Sequence, residues 1–417
     1  MSQAAVVPPD PAALIALDEY RKNVLSRIRP LEPIELGLLD ALGCVLTHDA
    51  VAVSDIPNFP NSAMDGFAVL AQDSGVGAEL RVVGEVAAGA ASRIPLQPGE
   101  AVRIMTGAPL PPGADAVVPV EDTTELGDVV RLHAAVEPGR HVRLPGEDVR
   151  VGDVVLRSGR VLEPADIGML AALGYPRVTV RPHPRVVVIS TGDELVDPEQ
   201  PTGLGQIRDS NSYVLTALCR DTGASAFRHE IVRDDERALT EAFEGAMAHA
   251  DLLVTSGGVS AGRYDLVKVV LSRLGDVRFS RVGMRPGMPQ AFGLLDRGNG
   301  DRPVPVFGLP GNPVSAAVSF EVFVRPAIRR LQGRTDVNRP RVQAVLAESL
   351  RSPAGKVEFV RVTLRRDGSV WAATPTGGQG SGILSSMVEA DGLAEIPADR
   401  STVAAGERVV VHLLVRP

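Results

Sequence analysis

The 417-residue chain is poor in cysteine: Cys44 and Cys219 are its only two, far apart and in no C-x-x-C pair. A disulfide framework, a zinc ribbon and a thioredoxin-type centre all need more or closer thiols. Both cysteines are read as small buried thiols in a reducing compartment. The seven histidines show no H-x-x-x-H or comparable spacing, which argues against a zinc enzyme. Positive charge is not in excess, since 43 Lys and Arg face 51 Asp and Glu for a net charge of −8. A general nucleic-acid binder needs a basic face and is excluded. No uncharged apolar run approaches the roughly 18 residues of a membrane span. The first Lys or Arg is Arg21, and prolines interrupt the apolar residues before it, unlike a signal peptide. No membrane partner and a cytoplasmic location are expected. A G-x-S-x-G elbow, a P-loop and a dinucleotide fingerprint are also missing.

Apolar residues, by contrast, make up 44% of the chain, enough for several cores. At roughly 150 residues per domain the length allows two to four domains. Leu14, Leu17, Val24, Leu25 and Ile28 repeat at helical spacing, which predicts a helix over 12–28. A second short helix is expected over 34–42, stopping near Gly43. From Val51 to about His141, short apolar runs alternate with Gly- and Pro-rich turns, the texture of an all-β insert. Helical patterning returns at 164–173, so the insert interrupts an elongated helical and β unit. Over 184–333, apolar strands such as RVVVIS and LLVTS alternate with helices at 211–221, 235–249, 264–274 and 313–331. That alternation predicts right-handed crossovers and a doubly wound parallel sheet. Short strands in the tail from Arg339 predict a small β barrel or sandwich. The expected fold class is therefore multidomain α/β plus β.

Ligands of open α/β sheets bind beyond the carboxyl ends of the strands. Three strand ends here carry unusual loops. RVVVIS-TGDEL brings Thr191, Asp193 and Glu194; LLVTS-GGVSAG is a glycine-rich turn whose amides can form an anion nest; VPVFGL-PGNPVS opens a helix at Pro313. Acidic residues gather near them: Asp193 with Glu194, Asp234 with Asp235, and Asp265. One of Asp234 and Asp235 is equally well explained as a helix N-cap. Lys268, one turn past Asp265, fits an ion pair as well as it fits a ligand. Carboxylates beside a phosphate site suit Mg²⁺, which binds through one or two of them plus substrate oxygens. Arg281 and Arg285 suit oxyanions. In the insert, Asp65, Thr106 and Asp115 stand out, with Arg143, Glu147 and Asp148 just after them; turn chemistry is the plain alternative. The residues describe a magnesium-dependent site for a phosphorylated or oxyanionic ligand.

The segments NSAMDGFAV, RIMTGAPLPPGADAVV, PGEDVRVGD, STGDEL, DSN, SGGVSAGRYD and FGLPGNPVSA, in this order, resemble the molybdopterin molybdenumtransferase (MoeA) family, whose fold recurs in the C-terminal part of gephyrin. The resemblance runs from about Leu14 to the C-terminus. It implies an elongated domain in two segments (12–48 and 146–181), an inserted β domain (49–145), a molybdopterin-binding α/β domain (182–334) and a C-terminal β barrel (335–417). It further implies molybdenum cofactor biosynthesis: molybdate enters adenylylated molybdopterin with Mg²⁺-dependent release of AMP. A homodimer is implied, with Asp65 and Thr106, and Arg143 and Asp148 nearby, supplied across the subunit boundary. Glu194, Asp234 or Asp235, and Asp265 form the acidic set, and Asp65, Glu194, Asp234 and Asp265 are the metal candidates. Thr191, Ser256, Gly257, Gly258, Ser260 and Lys268 line the substrate crevice, as do Pro310, Gly311, Asn312, Pro313 and Ser315. Arg281, Arg285, Arg361 and Ser381 are candidates for molybdate.

Three departures from the family pattern bear on that last group. The frequent K-P-G-K-P reads Arg285-Pro-Gly-Met288-Pro, which removes the second cation. The frequent G-S-H-M-L reads GQGSGILSS around Ser381, without the His, and Arg263 replaces a frequent Glu. Altered oxyanion choice, including a tungstate preference, is the expected consequence. Two other readings share these residues. A gephyrin-like scaffold would keep the fold without turnover, although it has no need of so many carboxylates. A molybdopterin adenylyltransferase shares the α/β domain but lacks insert and barrel; it is instead a candidate partner.

Overall fold

The computed structural model describes residues 14–90, 95–258, 266–298 and 300–414. The chain forms two compact units, one comprising Glu35–Leu42 and Leu46–Val180, the other the remainder.

The first of these is built on a mixed six-stranded sheet in the order Thr123–Leu126, Val129–Leu132, Glu79–Val86, Glu100–Ile104, Gly66–Val69 and Ala116–Pro119. Successive strand residues face opposite sides. Phe67 and Val69 therefore enter one apolar cluster with Val118, while Ala68 enters another with Val102 and Val117. Gly66 is dictated by this packing. A β-carbon there would lie 2.0 Å from the Val118 carbonyl oxygen, which belongs to a fixed backbone.

The second unit carries a seven-stranded sheet in the order Leu14–Ile15, Gly275–Val282, Pro289–Leu295, Val304–Leu309, Leu252–Ser256, Arg185–Ser190 and Ser225–Arg228. The last four are mutually parallel. Val186 and Val188 pack into a core with the helices Leu17–Arg27, Asn211–Asp221 and the helical run 313–331. Val187 and Ile189 face the opposite core, filled by the helices Glu236–Met247 and Leu266–Leu274. Burial on both faces explains why these strands read as unbroken apolar runs. A five-stranded barrel closes the unit: Val357–Asp367, Val370–Pro375, Arg341–Leu346, Arg408–Leu413 and Gly392–Ile396, the last pairing back to the first. Both cysteines are buried free thiols. Among the described residues no helix is long and apolar enough to cross a membrane.

Several expectations are corrected. The segment over 34–42 is no helix: Ile34–Gly37 is a strand, followed by turns, in a three-stranded sheet with Arg177–Arg181 and Val45–Leu46. Sheet partners distant in sequence outweigh local propensity there. The first helix starts at Leu17, and its Leu17, Tyr20 and Val24 pack in the core of the seven-stranded sheet. The sheet is mixed, not parallel throughout, because Gly275–Val282 and Pro289–Leu295 form an antiparallel pair. Strand Gly392–Ile396 escapes a pattern reading because it begins within the Asp391-Gly392 turn signal, yet the barrel closes through it.

The Gly66 contact gives the first test. Gly66→Ala should cost about 1–3 kcal/mol, the usual penalty of overpacking, measured as a lower urea midpoint at unchanged m-value. An unshifted midpoint contradicts the tight approach of the two strands.

Candidate active site

From Arg185–Ser190 the chain steps to Ser225–Arg228 on one side and then to Leu252–Ser256 on the other. The switch point, where α/β sheets open a ligand crevice, is therefore bounded by Thr191 and by Ser256-Gly257-Gly258. The two ends touch: the Thr191 N–H donates to the Ser256 carbonyl at 3.4 Å. Gly257 has φ of +95°, and a β-carbon on it would meet the Thr191 carbonyl at 3.0 Å, so only glycine is accommodated without strain. Its N–H donates to the Leu309 carbonyl at 3.2 Å, which draws in the third loop, Pro310–Pro313. Thr191, Ser256 and Ser315 are buried, whereas Gly311 and Asn312 are exposed.

Sequence reasoning left two contributors out of the site. Asp209, 2% exposed, accepts hydrogen bonds from Ser190 Oγ (3.1 Å), Ser212 N–H (3.0 Å) and Ser212 Oγ (2.5 Å). Asn211 Nδ2 donates to both Ser256 Oγ and the Gly311 carbonyl, each at 2.7 Å. The DSN motif was the available signal for them.

On the outer side of Thr191 lies the acidic loop. Asp193 and Glu194 are exposed, and the Asp234 N–H donates to Asp193 Oδ1 at 3.3 Å. Asp234 has its carboxyl pKa raised above the ordinary aspartate value, first by desolvation and then by the negative charges of Asp193 and Glu194. Asp235 has a different task. It is the N-cap of the helix Glu236–Met247, where its Oδ1 accepts from the Ala238 N–H at 2.8 Å, a contact worth about 1 kcal/mol. The two neighbours thus differ chemically, with Asp235 capping the helix and Asp234 crowded by like charge.

The barrel reaches the same end of the sheet. The Ser381 carbonyl accepts the Val314 N–H at 3.0 Å, in the first turn of the helix that opens at Pro313. Arg361, expected to touch molybdate, is instead 1% exposed. Its guanidinium donates to the carbonyls of Gly378 and Gly380 (both 3.2 Å) and to Ser386 Oγ (3.1 Å). Burial lowers its pKa, with Glu358 acting the other way. Gln379 braces the same loop, accepting from the Arg361 N–H at 3.0 Å. Arg285 is half exposed and lies 3.4 Å from Glu358, and Arg281 Nη2 lies 3.7 Å from the Met288 sulfur. Lys268 sits over the Phe279 ring at 5.7 Å.

Within the other unit the structure joins two expected residues directly. Asp65 Oδ1 accepts from both the Thr106 N–H (2.7 Å) and Thr106 Oγ1 (2.9 Å). These bonds hold its carboxyl below the ordinary aspartate value, so it is anionic at neutral pH. Arg143, exposed, is in register with Asn61 four residues before Asp65. Asp148 is exposed, with its N–H donating to the Ile56 carbonyl at 3.0 Å. Glu147 does turn chemistry, its carboxylate accepting from the Leu144 N–H (3.0 Å), whereas Asp115 accepts from the N–H of Ala71 (2.6 Å), distant in sequence. Ser260, Arg263 and Asp265 lie outside the described residues. Among those described, no group of three or more His, Cys, Asp or Glu is arranged to hold a metal by itself.

Comparison with known proteins bears on the whole chain. Residues 15–174 match the MoeA N-terminal region (domain I and II), residues 187–330 a probable molybdopterin binding domain, and residues 343–414 the MoeA C-terminal region (domain IV). The molybdopterin molybdenumtransferase 2 of Mycobacterium tuberculosis is 43% identical over 95% of this chain and 98% of its own. The molybdopterin molybdenumtransferase of Haemophilus influenzae is 35% identical over 96% and 100%. A crystal structure of the molybdopterin biosynthesis MoeA protein from Pyrococcus horikoshii superposes with a TM-score of 0.78 at 32% identity, covering 96% of this chain and 99% of that one. With these matches spanning sheet, crevice and barrel alike, the chain belongs to the molybdopterin molybdenumtransferase (MoeA) family, enzymes of molybdenum cofactor biosynthesis.

Proposed function

We propose that the chain transfers molybdenum from molybdate to adenylylated molybdopterin with Mg²⁺-dependent release of AMP. The observation that carries this reading is the placement of a like-charge carboxylate group, Asp193, Glu194 and Asp234, directly beside a switch-point crevice bordered by glycine-rich loops. Such loops and the helix opening at Pro313 favour a phosphate through N–H groups and the helix dipole. The carboxylates favour a cation, and their mutual repulsion at Asp234 is what a divalent ion relieves. Glu194 and Asp234 are accordingly the residues that would hold Mg²⁺, completed by substrate oxygens rather than by a third protein ligand. When bound, Mg²⁺ acts as a Lewis acid on the phosphoanhydride.

The protein's own groups do the rest. The Thr191, Ser256 and Gly311 loops grip the pterin phosphate, and the acidic loop orients the anhydride toward cleavage. One molybdate oxygen leaves as water with the two dithiolene thiol protons as the sulfurs bond to molybdenum, and water attacks the phosphoanhydride phosphorus so that the P–O bond breaks and AMP departs. Arg281 and Arg285 supply positive charge for molybdate, while Arg361 holds the Ser381 loop in place. Met288 adds no charge beside Arg281, so oxyanion choice rests on fewer cations than the family pattern provides. We further propose a homodimer in which Asp65 and Thr106 act across the subunit boundary.

Two measurements test these assignments. Asp234→Asn should lower AMP release about 10- to 100-fold, as removal of a metal-orienting group does. Because folding raises the Asp234 pKa, its ionised form disfavours the folded state above the unfolded value of about 4. The variant should therefore melt at the same temperature as the parent or slightly higher at pH 7, with no difference below pH 3. A lowered melting temperature at pH 7 contradicts the charge-crowding account. Separately, Asp65→Asn and Asp234→Asn should each keep no more than about a tenth of parental activity alone. Mixed and allowed to exchange subunits, they should regain about a quarter of parental activity, since half the dimers are hybrid and each hybrid has one intact site. No recovery after proven exchange overturns the shared site.

A further inference from the structure

The three crevice loops come from strands spread between residues 185 and 309 of the sequence, yet one short segment touches all three strand ends. Asp209 reaches the first through Ser190, and its carboxylate also receives both hydrogen bonds from Ser212, which locks the start of the helix Asn211–Asp221. Asn211, the first residue of that helix, reaches the second and third ends through Ser256 and Gly311. The orientation of its amide is unambiguous, because the Gly311 carbonyl can only accept and so must face Nδ2. Nδ2 therefore also donates to Ser256 Oγ. The Ser256 hydroxyl, already accepting, has its own hydrogen left to donate elsewhere. Asn211 Oδ1 is buried and has no hydrogen-bond partner among the described residues, so the amide is held by its donors alone.

We propose that Asn211 is a positioning residue of the phosphate crevice: its amide sets the separation of the Ser256 and Gly311 loops and turns the Ser256 hydroxyl into a donor for the substrate's phosphate. This rests on the enzyme reading above, and it deepens that reading by assigning the polarity of one crevice hydroxyl. Aspartate at this position is the informative change. It has the same shape, but a carboxylate oxygen then faces the Gly311 carbonyl and repels it. The same oxygen, standing where Nδ2 stood, accepts from Ser256, whose hydrogen is drawn inward and lost to the substrate. Alanine removes both contacts without adding charge.

A packing role predicts that Asn211→Asp is harmless and Asn211→Ala harmful. The positioning role predicts that Asn211→Asp is at least as harmful as Asn211→Ala. Both variants should raise KM for adenylylated molybdopterin about tenfold or more, the loss of one charge-assisted hydrogen bond, with kcat within about threefold of the parent. Amide hydrogen exchange on the ligand-free protein should rise in peptides covering 256–258 and 310–312 and stay unchanged in the barrel. Parental KM and parental exchange in Asn211→Asp overturn the proposal. If the unmodified protein releases no AMP, the enzyme reading fails on its own. Exchange then decides: faster exchange at both loops in Asn211→Asp supports the stitch, and unchanged exchange overturns it.

Discussion

Everything at the site depends on the parallel pairing of Arg185–Ser190 with Leu252–Ser256, and of the latter with Val304–Leu309. Parallel strands in one sheet end at the same edge, so three loops with no sequence proximity are delivered to one place. The pairing is stable because both faces are covered, Val186 and Val188 on one side and Val187 and Ile189 on the other. Apolar burial thus fixes the strand ends, and the strand ends fix the polar groups. A loop such as Ser256-Gly257-Gly258 needs no internal core, because its backbone is tied to Thr191 and Leu309 by hydrogen bonds.

Electrostatics then divides the edge into regions of opposite preference. Helix openings and glycine-rich turns offer N–H groups to phosphate, and next to them burial and the charges of Asp193 and Glu194 raise the proton affinity of Asp234. Asp65 is tuned the other way, since two hydrogen bonds from Thr106 keep it ionised without burying it. A cation bridging phosphate and carboxylate is favoured by the first arrangement. Arg361 shows a third use of charge: a buried guanidinium satisfied by loop carbonyls, which shapes the Ser381 loop rather than touching solvent.

Much of this was legible in the chain itself. Helices such as Asn211–Asp221 and strands such as Leu252–Ser256 declare themselves because burial imposes period and apolar runs. Asp65 and Thr106 were each singled out from their motifs, and the hydrogen bonds that join them appear only in the fold. What stayed hidden depends on contacts distant in sequence. Ile34–Gly37 is a strand because of its sheet partners, and Gly392–Ile396 because the barrel needs a closing strand. The burial of Arg361 follows from which loop folds over it, which alternation along a strand does not reveal. Asp234 and Asp235 are indistinguishable as neighbours and separate only when the Ala238 N–H selects one of them. Asn211 lay in plain view in the DSN motif, but its reach to Ser256 and Gly311 exists only in the folded sheet.

The most direct measurement is AMP release from adenylylated molybdopterin by the purified protein, with and without Mg²⁺ and with and without molybdate. The account predicts release that requires both, abolished by a chelator and restored by added Mg²⁺. Tight binding of the adenylylated substrate with no release under any of these conditions would contradict it and identify the chain as a binding scaffold on the same fold.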